Sequence, residues 1–274
     1  MPSHWSLVIF TLMVQSAVGS VWCVQAALFW NGGLAELLHL KFQIIAALCL
    51  VLAGLAAAMS HLGNPGGSLH AVKNFKSSWL SREIFSVNVF AGFLAVMAVL
   101  AQIRPGALNV WVLLVGSLAG GTVLYAMTRV YRLRTVPAWN HAGTALTFLG
   151  SALLLGGLVC ALVLKILTLL TVVGHDVMGQ NDFRNVALIA VLAGFILKML
   201  AAGLKPSGSN AAGPFKALQP VMQGAGVALW LVYILAGVNP VFQSLLLFLA
   251  AGCLVSGEII HRSQFYSSYQ RVGL

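Results

Sequence analysis

The chain has 274 residues, of which 60% are hydrophobic and 7% charged, with a net charge of +10 and a mean hydropathy of +0.95. A soluble domain carries about a quarter charged residues, so a water-soluble fold is excluded. A basic balance in a membrane protein reports topology and contact with anionic headgroups, and it gives no reason to invoke nucleic acid. Apolar runs long enough to span a bilayer as a helix, about 20 residues, follow one another in chain order at Leu7–Trp30, Phe42–Met59, Ile84–Ile103, Leu108–Met127, Ala142–Leu164, Val186–Leu204, Ala217–Val238 and Val241–Ile260. The predicted architecture is all-α: an eight-transmembrane-helix bundle in the lipid bilayer, forming a single integral membrane domain over residues 1–274.

The N-terminus lacks the Lys and Arg of a secretory signal, and its apolar run exceeds a signal core, so it reads as the first span. An even number of spans puts both termini on one side. That side collects eleven of the 15 Lys and Arg residues, against Lys41, Arg104, Lys165 and Arg184 opposite. The positive-inside rule then predicts cytoplasmic termini. Lys165 and Lys198, near span ends, are expected to snorkel to the interface. Gly54, Ala56, Ala57 and Ala58 in the second span, and Gly116, Ala119, Gly120 and Gly121 in the fourth, predict close helix approach. Gly237 to Pro240 is a tight connection between the last two spans. No internal repeat is visible, which disfavours the inverted halves of many transporters.

Cys23, Cys49, Cys160 and Cys253 lie in separate apolar runs, without the spacing of a zinc or iron–sulfur site. No metal ligands are assigned. All seven histidines fall in loops or at span ends, leaving no axial pair at depth, so no haem is expected on this chain. An electron-transfer role then requires a diffusible carrier such as a quinone, together with a partner protein.

The terminus-bearing side gathers the chemistry. His61 ends the second span, Glu83 begins the third, Arg129 and Tyr131 follow the fourth, and Glu258, His261 and Arg262 close the eighth. Quinol oxidation removes two protons with two electrons, so its site needs hydrogen-bond acceptors and a proton exit. An imidazole with a pKa near ~6.5 and a carboxylate fill those roles. Gln15, about two turns into the first span, adds an uncharged polar group. Plainer roles stand beside each assignment. His61 is also a fitting helix cap before Gly63, Asn64 and Pro65. Glu83 complements a helix dipole for ~0.3–1 kcal/mol or pairs with Arg82. Gln15 serves as interhelical hydrogen-bond glue, and Tyr131, Trp79 and Trp139 serve as interfacial anchors. Glu258 and Arg262 fit an i,i+4 pair, and His175–Asp176 reads as a solvated pair on the opposite face.

Several of these segments carry a family likeness: Ser60-His61-Leu62-Gly63-Asn64-Pro65, Leu80-Ser81-Arg82-Glu83, Arg129-Val130-Tyr131, Thr135-Val136-Pro137-Ala138-Trp139, and Gly257-Glu258-Ile259-Ile260 with Arg262, Phe265 and Tyr266. In this order, with Gln15 and Gly19 in the first span, the sequence resembles the membrane anchor subunits of dimethyl sulfoxide reductases. The resemblance implies a menaquinol site on this subunit, with His61 and Glu83 as quinol-binding residues. It implies an iron–sulfur electron-transfer subunit and a molybdopterin catalytic subunit as partners, which carry the clusters and the molybdopterin, in the anaerobic respiration of a bacterial inner membrane. On this reading the protein is a quinol dehydrogenase and anchor subunit rather than an enzyme by itself. His261 departs from the family, which typically has glycine before the terminal arginine. The rival classes are a small-solute or ion transporter, which places ionisable groups at mid-membrane in broken helices, and a purely structural anchor.

Overall fold

The computed structural model describes residues 5–31, 37–60, 74–104, 108–170, 180–204, 217–235 and 239–269. Among them, eight helices are long and apolar enough to cross a membrane: α1 Trp5–Asn31, α2 Leu37–Met59, α3 Trp79–Ile103, α4 Val110–Tyr131, α5 Ala142–Leu169, α6 Gln180–Gly203, α7 Leu218–Leu235 and α8 Pro240–Ser267. An apolar run becomes a helix here because, away from water, only intrasegment hydrogen bonds satisfy every backbone N–H and C=O.

The helices outrun the apolar stretches that announce them. α3 starts at Trp79 rather than Ile84, which takes Arg82 and Glu83 into the helix, and α8 continues past Ile260 to Ser267, which takes in His261, Arg262 and Tyr266. A charged side chain ends an apolar run but does not interrupt backbone hydrogen bonding. Three of the helix starts are set by N-caps. Ser78 Oγ accepts from the Ser81 amide, Asn109 Oδ1 accepts from the amides of Trp111 and Val112 at 3.0 and 3.1 Å, and Asn239 Oδ1 accepts from Val241 with Pro240 in the first turn. Asn109→Ala is expected to lower stability by about 1 kcal/mol, seen as a lower thermal midpoint in detergent with activity unchanged.

α1 is the hub of the bundle and packs on α2, α4, α5, α6 and α8. α5 pairs with α6, α3 with α2 and α4, and α7 with α8 as an antiparallel hairpin. The α1–α5 crossing is the closest. A Cβ added to Gly19 would overlap the Ala152 carbonyl oxygen, and one added to Gly156 would overlap the Gly19 carbonyl carbon. Both positions must be glycine for the two backbones to meet. Without a hydrophobic drive between helices in lipid, such contact supplies the dispersion energy that holds them together. Interhelical hydrogen bonds tie the same elements: Trp22 Nε1 donates to the Ser117 carbonyl at 2.9 Å, and Gln43 Nε2 to the Cys160 carbonyl at 2.9 Å.

One of the two lysines, Lys198, departs from the snorkelling expectation. Lys165 is buried and donates to the Pro240 carbonyl at 3.4 Å. Lys198 is 4% exposed and reaches inward, not out. Trp139, expected as an interfacial anchor, is buried in an aromatic cluster, where it stacks on Phe265 with centroids 5.1 Å apart.

Candidate functional site

Three of the four residues assigned from sequence are described by the structure; His61 lies outside the described residues. Glu83 sits in the second turn of α3, 3% exposed, and its Oε1 has no hydrogen-bond partner among the described residues. Arg82 is not its partner. That guanidinium donates to the carbonyls of Phe75 and Lys76 at 3.0 and 2.8 Å and lies over the Trp79 ring at 4.2 Å. A buried carboxylate oxygen without a partner is costly, so Glu83 is neither a solvated helix-start acid nor half of a surface ion pair.

Gln15, in mid-α1, is fully buried. Its Oε1 accepts from Arg262 Nη2 at 2.7 Å, and its Nε2 is left without a partner among the described residues. Tyr131, at the end of α4, is buried rather than interfacial. Its hydroxyl accepts from Tyr266 at 2.9 Å, its ring stacks on Phe148 at 5.5 Å, and Tyr266 also reaches Thr11 Oγ1 at 3.4 Å. The Glu83 carboxyl and the Arg262 guanidinium both lie within electrostatic reach of these two tyrosine hydroxyls. Gln15 and Tyr131 therefore face a common organiser, the last turns of α8, and Glu83 lies within electrostatic reach of Tyr266 there. There Glu258, Arg262 and Tyr266 recur every four residues, the spacing that aligns side chains on one helix face.

The structure places next to this set a polar network that the sequence alone does not assign. Glu258 is fully buried and forms an ion pair with Lys198 of α6. Its Oε2 accepts from Ser151 Oγ of α5 at 2.7 Å and its Oε1 from Gln223 Nε2 of α7 at 2.8 Å, and Gln219 donates in turn to Gln223 at 2.9 Å. Lys198 Nζ also lies 3.3 Å from Ser151 Oγ and 3.4 Å from His261 Nδ1. The expected Glu258–Arg262 pair is thus replaced: Glu258 turns to α6, while Arg262 turns to Gln15 and, at 3.5 Å, to Ser151, with its plane over the Phe148 ring at 4.2 Å. Each side chain on the inner face of α8 meets a facing helix before it meets its neighbour one turn away. The signal in the sequence is that Lys198 and Glu258 are a lone base and a lone acid inside otherwise apolar spans, each needing an opposite charge. The network also qualifies the case against a transporter, since ionisable groups do lie inside the bundle. They do so on helices that stay unbroken through the site, α6 and α8.

Chemically, the site offers, among the described residues, an acceptor without a hydrogen-bond partner at Glu83, donors without one at Gln15 Nε2 and at Arg262 Nε and Nη1, and aromatic walls at Tyr131, Phe148 and Phe265. No group of three or more His, Cys, Asp and Glu side chains suited to a metal occurs among the described residues. An open apolar groove of about 380 Å³ between α2 and α5, lined by Ala46, Leu50, Val159 and Ile166 among others, presents no polar side chain to a head group. It offers surface for a hydrocarbon tail.

A model of the DMSO reductase anchor subunit (DmsC) family matches residues 1–268. The sequence is 26% identical to the YnfH chain of an anaerobic dimethyl sulfoxide reductase of Escherichia coli (strain K12), and 27% identical to the anaerobic dimethyl sulfoxide reductase C subunit of that organism. Each of these matches covers 99% of this protein and 96% of the relative. It is 33% identical to the anaerobic dimethyl sulfoxide reductase C subunit of Haemophilus influenzae over 58% of each protein. No solved structure matches it significantly. With a family match over nearly its whole length and eight helices able to span a bilayer, the protein belongs to the DMSO reductase anchor subunit (DmsC) family.

Proposed function

We propose that this protein is the quinol-oxidising anchor of a molybdopterin reductase complex in a bacterial inner membrane. It takes electrons from menaquinol and passes them to an iron–sulfur subunit, which feeds a molybdopterin catalytic subunit. The observation that carries the reading is the buried Glu83 carboxyl, whose Oε1 has no hydrogen-bond partner among the described residues, within electrostatic reach of the Tyr131 and Tyr266 hydroxyls. A quinol supplies what each group lacks: hydroxyl protons for the carboxylate, oxygen acceptors for Gln15 Nε2, and a flat ring for the aromatic walls.

In this mechanism the quinol brings the redox chemistry, and the protein holds it and removes its protons. Glu83 accepts a hydrogen bond from one hydroxyl, His61 is the first proton recipient, and Glu83 passes protons on toward water. Gln15 and Tyr131 are secondary contacts that orient the ring. Arg262 holds Gln15 so that its amide nitrogen points to the substrate. Two electrons leave to the iron–sulfur partner as two protons leave the site, so each turnover is charge-balanced.

The test is His61→Arg in the assembled complex. Quinol-linked turnover is expected to disappear, while an artificial donor that reduces the catalytic partner directly still supports full activity. Unchanged quinol oxidation in this variant would remove His61 from the mechanism.

A further inference from the structure

We propose that Ser151, Glu258, Lys198 and His261 form a proton relay that carries one of the two quinol protons away from the site, with His261 as its outlet. The inference rests on the quinol-oxidising reading and deepens it.

From Ser151 outward each link is in place. Ser151 Oγ stands beside Arg262 Nη2, which holds Gln15, so the relay begins where the proposed substrate contacts end. Ser151 donates to Glu258 Oε2 at 2.7 Å, Glu258 is ion-paired with Lys198, and Lys198 Nζ lies 3.4 Å from His261 Nδ1. The quinol hydroxyl bound beside Arg262 gives its proton to Ser151 Oγ as the serine passes its own to Glu258, so one O–H bond forms as another breaks and the serine is left unchanged. The Lys198 ammonium gives a proton to His261 Nδ1, with Nε2 carrying the other ring proton, and the protonated Glu258 then returns a proton to Lys198. The ion pair is restored, the imidazolium loses its proton to water, and no net charge accumulates in the bundle. Arg262 does not exchange a proton. It stays a fixed cation between Gln15 and Ser151.

A purely structural role accounts poorly for this arrangement. Taking two charges out of water costs several kcal/mol per ion, and well-packed apolar residues often replace such a pair without loss. Intramembrane ionisable groups that are kept despite that cost tend to mark ion or proton pathways. The groups facing the pair from each packed helix are Ser151 on α5, Gln223 on α7 and His261 and Arg262 on α8, with Gln15 on α1 reached through Arg262. Of these, His261 carries the side-chain type whose ordinary pKa lies nearest neutrality, and it lies one turn beyond Glu258 toward the end of α8.

The experiment uses the assembled complex in native membranes, with a water-soluble quinol as donor, and checks assembly by turnover with an artificial donor that bypasses the membrane subunit. Glu258→Gln keeps the shape and most hydrogen bonds, and is expected to slow quinol oxidation at least about ten-fold, as loss of a proton acceptor does. The double variant Lys198→Met with Glu258→Leu removes both charges together and so protects folding. It is expected to assemble and to remain equally slow. His261→Gly, which opens space for a free imidazole, is expected to slow quinol oxidation several-fold and to be rescued by added imidazole. Quinol turnover at the wild-type rate in the double variant, or a His261→Gly variant that is either fully active or slow and deaf to imidazole, overturns the relay. If His61→Arg and Glu83→Gln also oxidise quinol normally, the quinol reading itself has failed. If those two are inactive while the relay variants are normal, only the relay has.

Discussion

Gly156→Leu is expected to prevent the folded bundle from accumulating. The added side chain would start in overlap with the Gly19 carbonyl carbon and 2.5 Å from the Ser20 amide nitrogen. Both are backbone atoms of the central helix, with no rotamer to give way. Ordinary overpacking costs about 1–3 kcal/mol when flexible side chains can shift. Here α1 and α5 must separate, and α1 is the helix on which α2, α4, α5, α6 and α8 all pack. The separation also stretches the Cys160 Sγ contact to the Ser20 carbonyl at 3.6 Å, and it moves Ser151 relative to Arg262 and Gln15. The cost is therefore expected to exceed the overpacking range and to approach total stability, about 5–15 kcal/mol for a typical protein. The measurement is the monodisperse fraction of a fluorescent fusion after mild detergent extraction, with Gly92→Leu as control. Gly92 on α3 has nothing within 4 Å of its added Cβ, so its leucine faces lipid and the yield should match the parent. A Gly156→Leu protein with the parent's yield and thermal midpoint would show that α1 and α5 do not touch as described.

The spans were legible because hydrocarbon imposes one local rule: a long enough apolar run must become a helix. Their ends were less legible. Arg82 and Glu83 look like a loop in an apolar-run reading, yet Ser78 caps the helix before them and the backbone carries on. The site was legible in part. Gln15 and Tyr131, far apart in sequence, both turn to α8, where they meet Arg262 and Tyr266. The partners themselves were not readable, because a one-turn spacing such as Glu258 to Arg262 invites pairing along the same helix. In a bundle the facing helix competes for the same side chains and wins at both positions: Lys198 takes Glu258, and Gln15 takes Arg262. Lys198 misled for a related reason. Its distance from the end of the apolar run permits snorkelling, but a buried acid on the neighbouring helix attracts the ammonium more strongly than the headgroup region does. Local spacing says which groups are able to meet, and only tertiary packing says which do.

The second large effect is expected at Glu83, where activity and stability should move in opposite directions. Glutamine has the shape of glutamate and keeps an oxygen acceptor, so Glu83→Gln should bind quinol with little change in KM. It cannot take up a proton, and the loss of an acid–base group usually costs about 10²-fold or more. Quinol-linked kcat is therefore expected to fall by about that factor in a complex whose partner still turns over with an artificial donor. Stability is not expected to fall with activity. Glu83 is 3% exposed with a partnerless Oε1, so it brings a desolvation cost with no ion pair among the described residues to offset it. Replacing the acid by an amide should leave the thermal midpoint of the complex unchanged or raise it. A merely structural Glu83, held by contacts the substitution breaks, would give a lower midpoint with a proportionate loss of assembled complex. A slow, fully assembled and equally stable variant is the signature of a group maintained for proton transfer at the expense of stability. A variant within about two-fold of the parent in quinol turnover would place the proton acceptor elsewhere in the bundle, since so small a change is far below what loss of a catalytic base produces.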